Sequence, residues 1–479
     1  MKNKPNVILI TVDSLRADHL GYMGYNKKIT PNIDALAKES TIFTHAYSTG
    51  PVTPHSFPSI LTSTYPFDYH GVVKIERPRV LISEIFKENG FITAAFHSNS
   101  YVSSFFGYNK GWDYFEDITV PYEKPEGAQK YGKVELFFKK LFKEPLKKIL
   151  PYVSAESLFL IIYLNYRLQN TQLNFKIRAK EKNLVIKEFI NSVKDQNKPF
   201  FIWIHYMDLH IPYISKKTRI YNRPLSFLEI ACSNFGYISS PFYFKNQTLP
   251  KSLLKFGKRC INKTVELYDE ELAYFDQQFG ELIKFLKEEG IYDNSIICFT
   301  ADHGDEFFEH KGGSHFQKLY NELLHVPLLI KDPFQKTNRI IDKKVSLIDL
   351  SPTLCDLAGL QKPPTFKGGN LFKDSRSLIF HQTSSDTKGG KYYVFGFSRL
   401  EQCKIGCQSE EWKYIIDYGK NTEELYNLLS DPKEQNNIIK LESKVALKMR
   451  NAIQDFNKEN PPFSLLNKDN FKDISYIKI

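Results

Sequence analysis

The sequence lacks any apolar run long enough to cross a membrane. A spanning helix needs about 20 consecutive apolar residues, whereas the run Leu158–Leu164 ends after seven. The N-terminal residues Met1–Pro5 lead directly into a predicted strand and contain no signal-peptide pattern. These two absences argue against a membrane-spanning protein and lead us to expect a cytoplasmic location.

Cysteine is also scarce, with six residues in a chain of 479 and no CxxC pair among them. This excludes a zinc ribbon and a small disulfide-rich scaffold. Free thiols in a reducing compartment are the expected state. Cys403 and Cys407 are four residues apart, which leaves a local disulfide between them as the alternative.

Acidic residues are outnumbered by basic ones, and the formal net charge is +11 with a pI of about 9.0. A positive balance suits anionic substrates, membrane surfaces or nucleic acid. The sequence contains no recognised nucleic-acid module, so we expect no nucleic-acid partner. Lysines on solvated surfaces remain the simpler explanation of the overall charge.

Three short apolar runs predict buried parallel strands, and acidic residues or histidines follow each of them. Ligands gather where parallel strands end, so the three ends together predict one site. A helical periodicity over Val265–Glu288, ending at Gly290, adds the strand–helix alternation of an α/β fold with helices on both sheet faces. The three runs are Val7–Val12 before Asp13, Pro199–Ile204 before His205–His210, and Ser295–Thr300 before Asp302 and His303.

Asp13, Thr53, Asp302 and His303 can together form a metal site that contains a hydroxyl nucleophile. Carboxylate and imidazole groups would hold the cation, which would lower the pKa of the Thr53 hydroxyl for attack on phosphorus or sulfur. Thr53 precedes a helix predicted to begin near Ser56, and a helix N-terminus stabilises negative charge. The structural alternatives are a helix cap for Asp13 or Thr53 and a simple turn at Asp302.

A series of motifs extends the pattern over nearly the whole chain. In this order and combination they resemble the sulfatase branch of the alkaline phosphatase superfamily. The motifs are Pro5–Asp18, Thr30–Ala37, Gly50–Ser63, Gly107–Asp113, His205–Tyr213, Tyr268–Asp269 with Asp302–Gly304, Leu319–Glu322 with Val326–Pro327, and Thr422–Leu428 with Asp431–Pro432.

The resemblance implies an α/β fold with a mostly parallel central sheet, helices on both faces and a small C-terminal α+β subdomain. We expect a catalytic domain over residues 1–362 and the subdomain over 363–479. Residues 119–198 are interpreted as a helical insertion or lid. Its basic segment 130–164 either contacts a membrane peripherally or packs on the main domain, and packing is the favoured interpretation.

Two departures from the family pattern change the expected chemistry. Sulfatases usually carry Cys-x-Pro-Ser-Arg, whose cysteine is oxidised to formylglycine; here Thr53 occupies the cysteine position and Phe57 the arginine position. Ser14 stands where a second aspartate ligand is usual. Relatives with a threonine nucleophile resemble phosphodiesterases, phosphatases or phospho-group transferases. The loss of a carboxylate favours Mn²⁺, Zn²⁺ or Mg²⁺ over Ca²⁺.

Other site residues follow from the resemblance. His210 matches a histidine that contacts the leaving group or the non-bridging oxygens. His315 either binds a second metal or acts as a general acid, and Lys318 would be a cation near the substrate; this choice decides between one metal and two. His205 has no match and is interpreted as a core residue, whereas Asp208 would orient His210 or bind a second metal.

Five further polar residues have weaker signals. His55 lies two residues beyond Thr53 and would touch substrate or be structural. Asn99 matches a polar position near the pocket. Asp305 and Glu306 would support the ligands or be solvated, and His310 is expected in a local turn.

The sequence therefore predicts a metal-dependent hydrolase of phosphate or sulfate esters, with phosphodiesters, phosphonates or phosphomonoesters favoured over sulfates. The substrate would be an anionic ester carried by a small molecule, a glycan or a lipid head group. The alternatives are a transferase that passes the phospho group to an acceptor alcohol, and a catalytically silent binding protein with the same fold.

Overall fold

The computed structural model describes residues 4–69, 74–117, 177–213, 226–233, 251–385 and 403–460. A nine-stranded sheet with strand order β11-β2-β10-β6-β1-β5-β3-β4, in which β9 also pairs with β2, forms its centre. The described strands of this sheet are β1 Asn6–Val12, β2 Thr41–Tyr47, β3 Ile92–Phe96, β4 Tyr114–Glu116, β5 Phe200–Tyr206, β6 Ser295–Ala301, β9 His325–Val326, β10 Leu328–Lys331 and β11 Arg339–Ser346.

The sheet is mostly parallel, as predicted. β1 pairs in parallel with both β5 and β6, and β3 pairs in parallel with β4 and β5. The antiparallel pairings involve β10, which lies between β2 and β6, and β9 on β2. The three predicted strands agree with β1, β5 and β6, and their carboxyl ends lie side by side at one edge.

Helices cover both faces of this sheet. The described helices are α1 Pro31–Ala37, α2 Thr53–Thr62, α3 Ile82–Glu88, α4 Ala179–Val193, α5 Phe227–Ser233, α6 Lys251–Glu288, α7 Asn321–Leu324, α8 Leu350–Leu357 and α9 Ser443–Glu459.

In strand β5, successive side chains point to opposite faces of the sheet and so contact different helical layers. On one face, Phe201 stacks on Phe86 of α3, with ring centroids 4.4 Å apart. On the other face, Tyr206 meets Phe275 of α6 at 5.1 Å. All seven residues of β5 are buried, which explains its continuous apolar run.

Helix α6 begins 14 residues before the predicted Val265, at Lys251, and ends at Glu288. Gly290 follows with a φ of +67°, the left-handed conformation expected at a helix end. The apolar stripe of α6 faces the sheet through Leu272, Phe275 and Phe279, each fully buried.

A second, antiparallel sheet of four strands follows, in the order β12-β13-β14-β15. It packs with α9 around its own apolar cluster, which includes Tyr414, Leu425 and Ile453. This is the small C-terminal α+β unit that the resemblance implied, and a third pair, β7–β8, joins residues near the site. The bounds are β7 Glu306–Phe307, β8 Gly313–Ser314, β12 Ile379–Ser384, β13 Cys403–Gln408, β14 Trp412–Asp417 and β15 Thr422–Asn427.

The prediction of free thiols was wrong for one pair. Helices α5 and α6 pack together and bring the Cα atoms of Cys232 and Cys260 to 5.0 Å, where the two form a disulfide. They are 28 residues apart, so no local spacing signalled the bond. Cys403 and Cys407 form no disulfide with each other, and both are buried, as are Cys298 and Cys355. The thiols therefore no longer support the inference of a reducing compartment.

Two predictions fall largely outside the described residues: the insertion, of which only 177–198 is described, and the membrane contact through 130–164. The described end of the insertion contains α4, which packs on α6 and β3. In the described part of the chain, no helix combines the length and apolarity needed to span a bilayer. The domain boundary near residue 362 stays a prediction.

Candidate active site

Asp13 follows β1 directly and is fully buried. Its backbone N–H donates to the Tyr206 carbonyl of β5 at 2.9 Å, which extends the sheet pairing into the site. Its Oδ1 accepts a hydrogen bond from Ser14 Oγ at 2.8 Å. Ser14 thus orients the one carboxylate that remains at this strand end.

Thr53 is the first residue of α2, three residues earlier than the predicted helix start, and is 4% exposed. Its Oγ1 lies 3.3 Å from Asp13 Oδ2, 3.1 Å from Asp302 Oδ2 and 3.5 Å from His303 Nε2. The hydroxyl is therefore held by the three other residues of the predicted cluster at the N-terminus of a helix.

Asp302 and His303 follow β6, and both are fully buried. The ring of His303 donates from Nδ1 to the Gly304 carbonyl at 2.8 Å, so its Nε2 is left to face Thr53. A side chain at position 304 would bring a Cβ to 2.1 Å from the Glu322 carbonyl, so only glycine permits this close approach.

Asn99 completes the hydrogen bonds around the hydroxyl, as its polar position suggested. Its Nδ2 donates to Asp13 Oδ2 at 3.1 Å and lies 3.2 Å from Thr53 Oγ1. Its Oδ1 accepts from the Tyr101 N–H at 2.9 Å, which fixes the orientation of the amide. Asn99 therefore presents its donor to the site.

The two carboxyl groups differ electrostatically. Burial raises the pKa of Asp13, but the surrounding histidines, His210 foremost, outweigh burial and hold this pKa well below its ordinary value. Burial raises the pKa of Asp302, although His303 opposes the rise, and the nearby Asp13 charge adds to it. Asp13 is therefore the more readily ionised of the two carboxyl groups.

The ring of His315 contacts the rings of both His303 and His210. The His315 ring lies 4.5 Å from the His303 ring and 4.8 Å from the His210 ring. Burial lowers the pKa of His315, but the hydrogen bond and charge of Asp305 raise it above its ordinary value. His210 donates from Nδ1 to the Ile211 carbonyl at 2.7 Å. Both predicted histidines thus lie beside the Thr53 cluster.

Lys318 makes contacts that the sequence did not indicate. Its ammonium donates to Glu306 Oε2 at 2.5 Å and to the His310 carbonyl at 2.9 Å. Glu306 is nearly fully buried, so it supports this lysine rather than being solvated. The contact of Lys318 with substrate stays a prediction.

His205 belongs to the core, as interpreted, but it also borders the site. It is fully buried, and its Nε2 lies 3.6 Å from Asp13 Oδ2. The ring meets Phe57 edge-on at 4.8 Å, so the residue in the usual arginine position packs on this histidine. The only signal in the sequence was a histidine in a predicted buried strand. Its register with Thr11 on β1 is seen in the structure.

Asp208, His55 and His310 bond to residues outside the Thr53 cluster. Asp208 pairs with Arg178 Nε at 3.0 Å. His55 bonds Thr383 of the small sheet at 3.1 Å and is buried. His310 bonds Glu322 at 2.6 Å, a contact between residues 12 apart that extends beyond the expected local turn.

The chemistry of these residues fits a divalent ion. Two fully buried carboxylates face one hydroxyl, and across the described ranges neither forms an ion pair with lysine or arginine. Buried charge of this kind requires a partner of opposite charge. Asp13, His205 and Asp302 each offer one ligand atom within 4.8 Å of the others. Oxygen with imidazole nitrogen suits Mn²⁺ or Zn²⁺.

The sequence matches models of known protein families. The sequence model of the family described as Sulfatase covers residues 5–360, and that of the N-sulphoglucosamine sulphohydrolase C-terminal region covers 312–459. Arylsulfatase K of Bos taurus is 22% identical over 497 aligned residues, covering 98% of this chain and 85% of the relative. The arylsulfatase of Clostridium perfringens is 25% identical, covering 92% and 91%.

Solved structures share the fold. The phosphonate monoester hydrolase of Agrobacterium radiobacter superposes with a TM-score of 0.67 at 19% identity, covering 95% of this chain and 96% of that one. A protein solved with its substrate D-glucosamine-2-N,6-O-disulfate superposes with a TM-score of 0.63 at 16% identity, covering 96% and 98%. Since the family model spans most of the chain, this protein belongs to the sulfatase family and is an ester hydrolase of that family.

Proposed function

We propose that the protein is a metal-dependent hydrolase of phosphate or sulfate esters in which Thr53 is the nucleophile. The observation that carries the proposal is the position of Thr53 Oγ1, 3.1 Å from Asp302 Oδ2 and 3.3 Å from Asp13 Oδ2 at the start of α2. A purely structural threonine at this position would not need two buried carboxylates around its hydroxyl.

Asp13, Thr53, Asp302 and His303 would hold the ion, with Mn²⁺, Zn²⁺ or Mg²⁺ favoured over Ca²⁺. Such an ion lowers the pKa of a nearby hydroxyl and neutralises charge on the ester. Asn99 orients the Thr53 hydroxyl, and the N-terminus of α2 favours the negative charge that develops on it.

The reaction would proceed in two steps. Thr53 Oγ1 gives up its proton to solvent and forms a bond to phosphorus, the bond from phosphorus to the leaving oxygen breaks, and a histidine protonates the departing alcohol. His315 suits this role because the neighbouring Asp305 raises its pKa, and His210 is the alternative donor. Water then attacks phosphorus, the bond from phosphorus to Thr53 Oγ1 breaks, a proton of that water restores the Thr53 hydroxyl, and phosphate, its monoester or a phosphonate is released.

Phosphorus esters are favoured because two residues of the usual sulfatase centre differ. Thr53 cannot be oxidised to formylglycine, and the buried Phe57 supplies no cation to a sulfate. A phosphonate monoester hydrolase shares the fold. A glycan or lipid head group would be the natural carrier of the ester, and a relative of the same fold binds a sulfated glucosamine.

Turnover of four chromogenic esters tests the proposal: p-nitrophenyl phosphate, bis-p-nitrophenyl phosphate, p-nitrophenyl phenylphosphonate and p-nitrophenyl sulfate, each with Mn²⁺, Zn²⁺, Mg²⁺ and Ca²⁺. We expect hydrolysis of a phosphorus ester that falls by about 10³-fold or more in Thr53→Val. Thr53→Ser should retain measurable turnover because it keeps the hydroxyl. A quenched reaction should yield a phosphorylated Thr53 peptide by mass spectrometry.

Thr62 provides the matched control, because it is a buried threonine at the other end of α2 whose hydroxyl donates to the Pro58 carbonyl. Thr62→Val should keep wild-type turnover. Persistent activity in Thr53→Val would overturn the assignment of Thr53 as the nucleophile. Turnover of the sulfate ester alone would reverse the proposed preference for phosphorus esters. Turnover only after addition of an acceptor alcohol would indicate a transferase.

A further inference from the structure

His205, at the penultimate position of β5, has its ring orientation fixed by the neighbouring strand. The Thr11 hydroxyl donates its proton to the Ile204 carbonyl at 3.1 Å. With its proton directed there, the hydroxyl accepts from Trp203 Nε1 and from His205 Nδ1, each 3.0 Å away. These bonds place the imidazole proton on Nδ1 and leave a lone pair on Nε2.

That Nε2 points at the site. It lies 3.6 Å from Asp13 Oδ2, too far for a hydrogen bond, and has no hydrogen-bond partner among the described residues. The side chain is fully buried, so bulk water does not reach it. Two lone pairs facing one another in the core are unfavourable unless a cation lies between them.

The surrounding substitutions leave a place for such a nitrogen ligand. Ser14 contributes a hydroxyl where a second carboxylate is usual, and this hydroxyl is bonded to Asp13 Oδ1 at 2.8 Å. Phe57 replaces the usual arginine with a ring that packs on His205 at 4.8 Å. Ligand atoms of Asp13, His205 and Asp302 lie within 4.8 Å of one another.

We propose that His205 Nε2 is an additional ligand of the ion and compensates for the carboxylate that Ser14 lacks. This inference rests on the proposed function, since it adds to the same metal centre. With His303, the centre then has two imidazoles and two carboxylates. Such a set binds Zn²⁺ and Mn²⁺ and disfavours Ca²⁺, which prefers six to eight oxygen ligands.

The test is metal binding by the full chain, measured by isothermal titration after removal of bound metal. His205→Gln should weaken Mn²⁺ and Zn²⁺ binding by at least about 10–100-fold. Thr11→Val, which removes the hydroxyl that orients the ring, should weaken it by a smaller factor. Pulsed EPR of Mn²⁺-loaded wild type should show two coordinated imidazole nitrogens, and His205→Gln should show one.

His97 is the matched control. It is a fully buried histidine that stacks on the same Trp203 ring, at 5.7 Å. His97→Gln should keep both the affinity and the two-nitrogen signal. Ser14→Asp in the His205→Gln background should restore binding, now with a greater preference for Ca²⁺, because it returns an oxygen ligand.

The outcomes separate this inference from the proposed function. Wild type that binds Mn²⁺ through one imidazole, or His205→Gln with unchanged affinity, would overturn the role of His205 and leave the metal centre intact. Wild type that binds no metal would overturn the metal centre itself and the role of His205 with it. If His205→Gln fails to fold, the nitrogen count in wild type alone decides.

Discussion

At the scale of single residues, the histidines of the site share one arrangement. His205, His210 and His303 each place Nδ1 on a backbone carbonyl or a hydroxyl. This leaves Nε2 of His205 and His303 directed at the carboxylates of the site. The protein thus fixes the tautomer of each ring before any ligand binds, as hydrogen bonds to the far nitrogen of a ligating histidine do in metal sites.

His310 has both ring nitrogens occupied, by Glu322 at 2.6 Å and by the Glu434 carbonyl at 3.0 Å. Burial lowers its pKa, but the Glu322 bond raises it above the ordinary 6.5. Because the folded pKa exceeds the unfolded one, its stabilisation is complete below about pH 6.5 and is lost as pH rises through the folded pKa. The melting temperature of His310→Asn should fall furthest below wild type near about pH 5.5, and less near about pH 9.

His325 supplies a control of opposite sign. Burial lowers its pKa, opposed by a bond to the Thr44 carbonyl. A depressed folded pKa means that stability is lost as pH falls below the unfolded value. His325→Asn should therefore close its gap to wild type as pH falls. A His310→Asn gap that is constant with pH would contradict the assigned protonation.

The residues that the sequence identified at strand ends do come together, because the parallel strands β1 and β6 end at the same sheet edge. His205 was harder to assign, since a histidine among apolar residues gives no sign of where its Nε2 points. The partner of Lys318, Glu306, lies on a hairpin whose pairing depends on tertiary contacts. The roles of all these residues in catalysis stay predictions until variants are measured.

At the scale of elements, helix α1 takes its N-terminal cap from another helix. Its own N-cap residue, Thr30, makes no capping bond. Instead Asp276 of α6 accepts from the backbone N–H groups of Asn32 at 3.1 Å and Ile33 at 2.8 Å. Burial raises the pKa of Asp276 to about 6, although these bonds oppose the rise.

Asp276→Ala should lower the free energy of unfolding by about 1 kcal/mol, the usual loss for a removed cap. Urea unfolding followed by circular dichroism measures it. The comparison variant is Glu288→Ala on the same helix, whose pair with Lys284 is exposed and spans 3.9 Å; its effect should stay below about 0.5 kcal/mol. Equal losses of unfolding free energy in the two variants would show that Asp276 does not stabilise α1 as a helix cap.

Element types were predictable where periodicity is strong, as in β1, β5, β6 and the second half of α6. The ends of the helices and strands were less predictable. α6 extends back to Lys251 through a segment rich in lysine, where the apolar stripe is faint. α2 begins at Thr53 rather than near Ser56, because Pro54 fits the first turn of a helix.

At the scale of the whole molecule, a buried ion pair joins the small sheet to the main body. Lys413 of β14 and Glu434 are each fully buried and lie 2.7 Å apart. Glu434 Oε2 also accepts from the N–H of Asn321 in α7 at 2.7 Å, and Lys413 reaches the Asn321 side chain at 3.1 Å. Burial raises the pKa of Glu434, but Lys413 opposes the rise.

Lys413→Met should destabilise the protein by about 3–5 kcal/mol, since it leaves the Glu434 charge buried and unpaired. The double variant Lys413→Met with Glu434→Leu should recover much of this loss. Guanidinium unfolding monitored by tryptophan fluorescence measures both. A double variant no more stable than Lys413→Met would show that the cost came from packing rather than from charge.

The layered architecture followed from strand–helix alternation and the resemblance, but the order of the strands did not. β10 lies antiparallel between two strands that are far apart in sequence. The Cys232–Cys260 bond likewise depends on how α5 packs on α6. Such contacts arise from tertiary packing, which local sequence patterns do not encode.

The hydroxyl of Thr53 has a consequence for how the protein is made. A sulfatase with a formylglycine needs its cysteine to be oxidised after translation. Thr53, already positioned between Asp13 and Asp302 by the fold, is chemically complete once translated. The nucleophile would therefore need no modification of its own, and the steps left after translation would be folding with its Cys232–Cys260 disulfide and uptake of an ion.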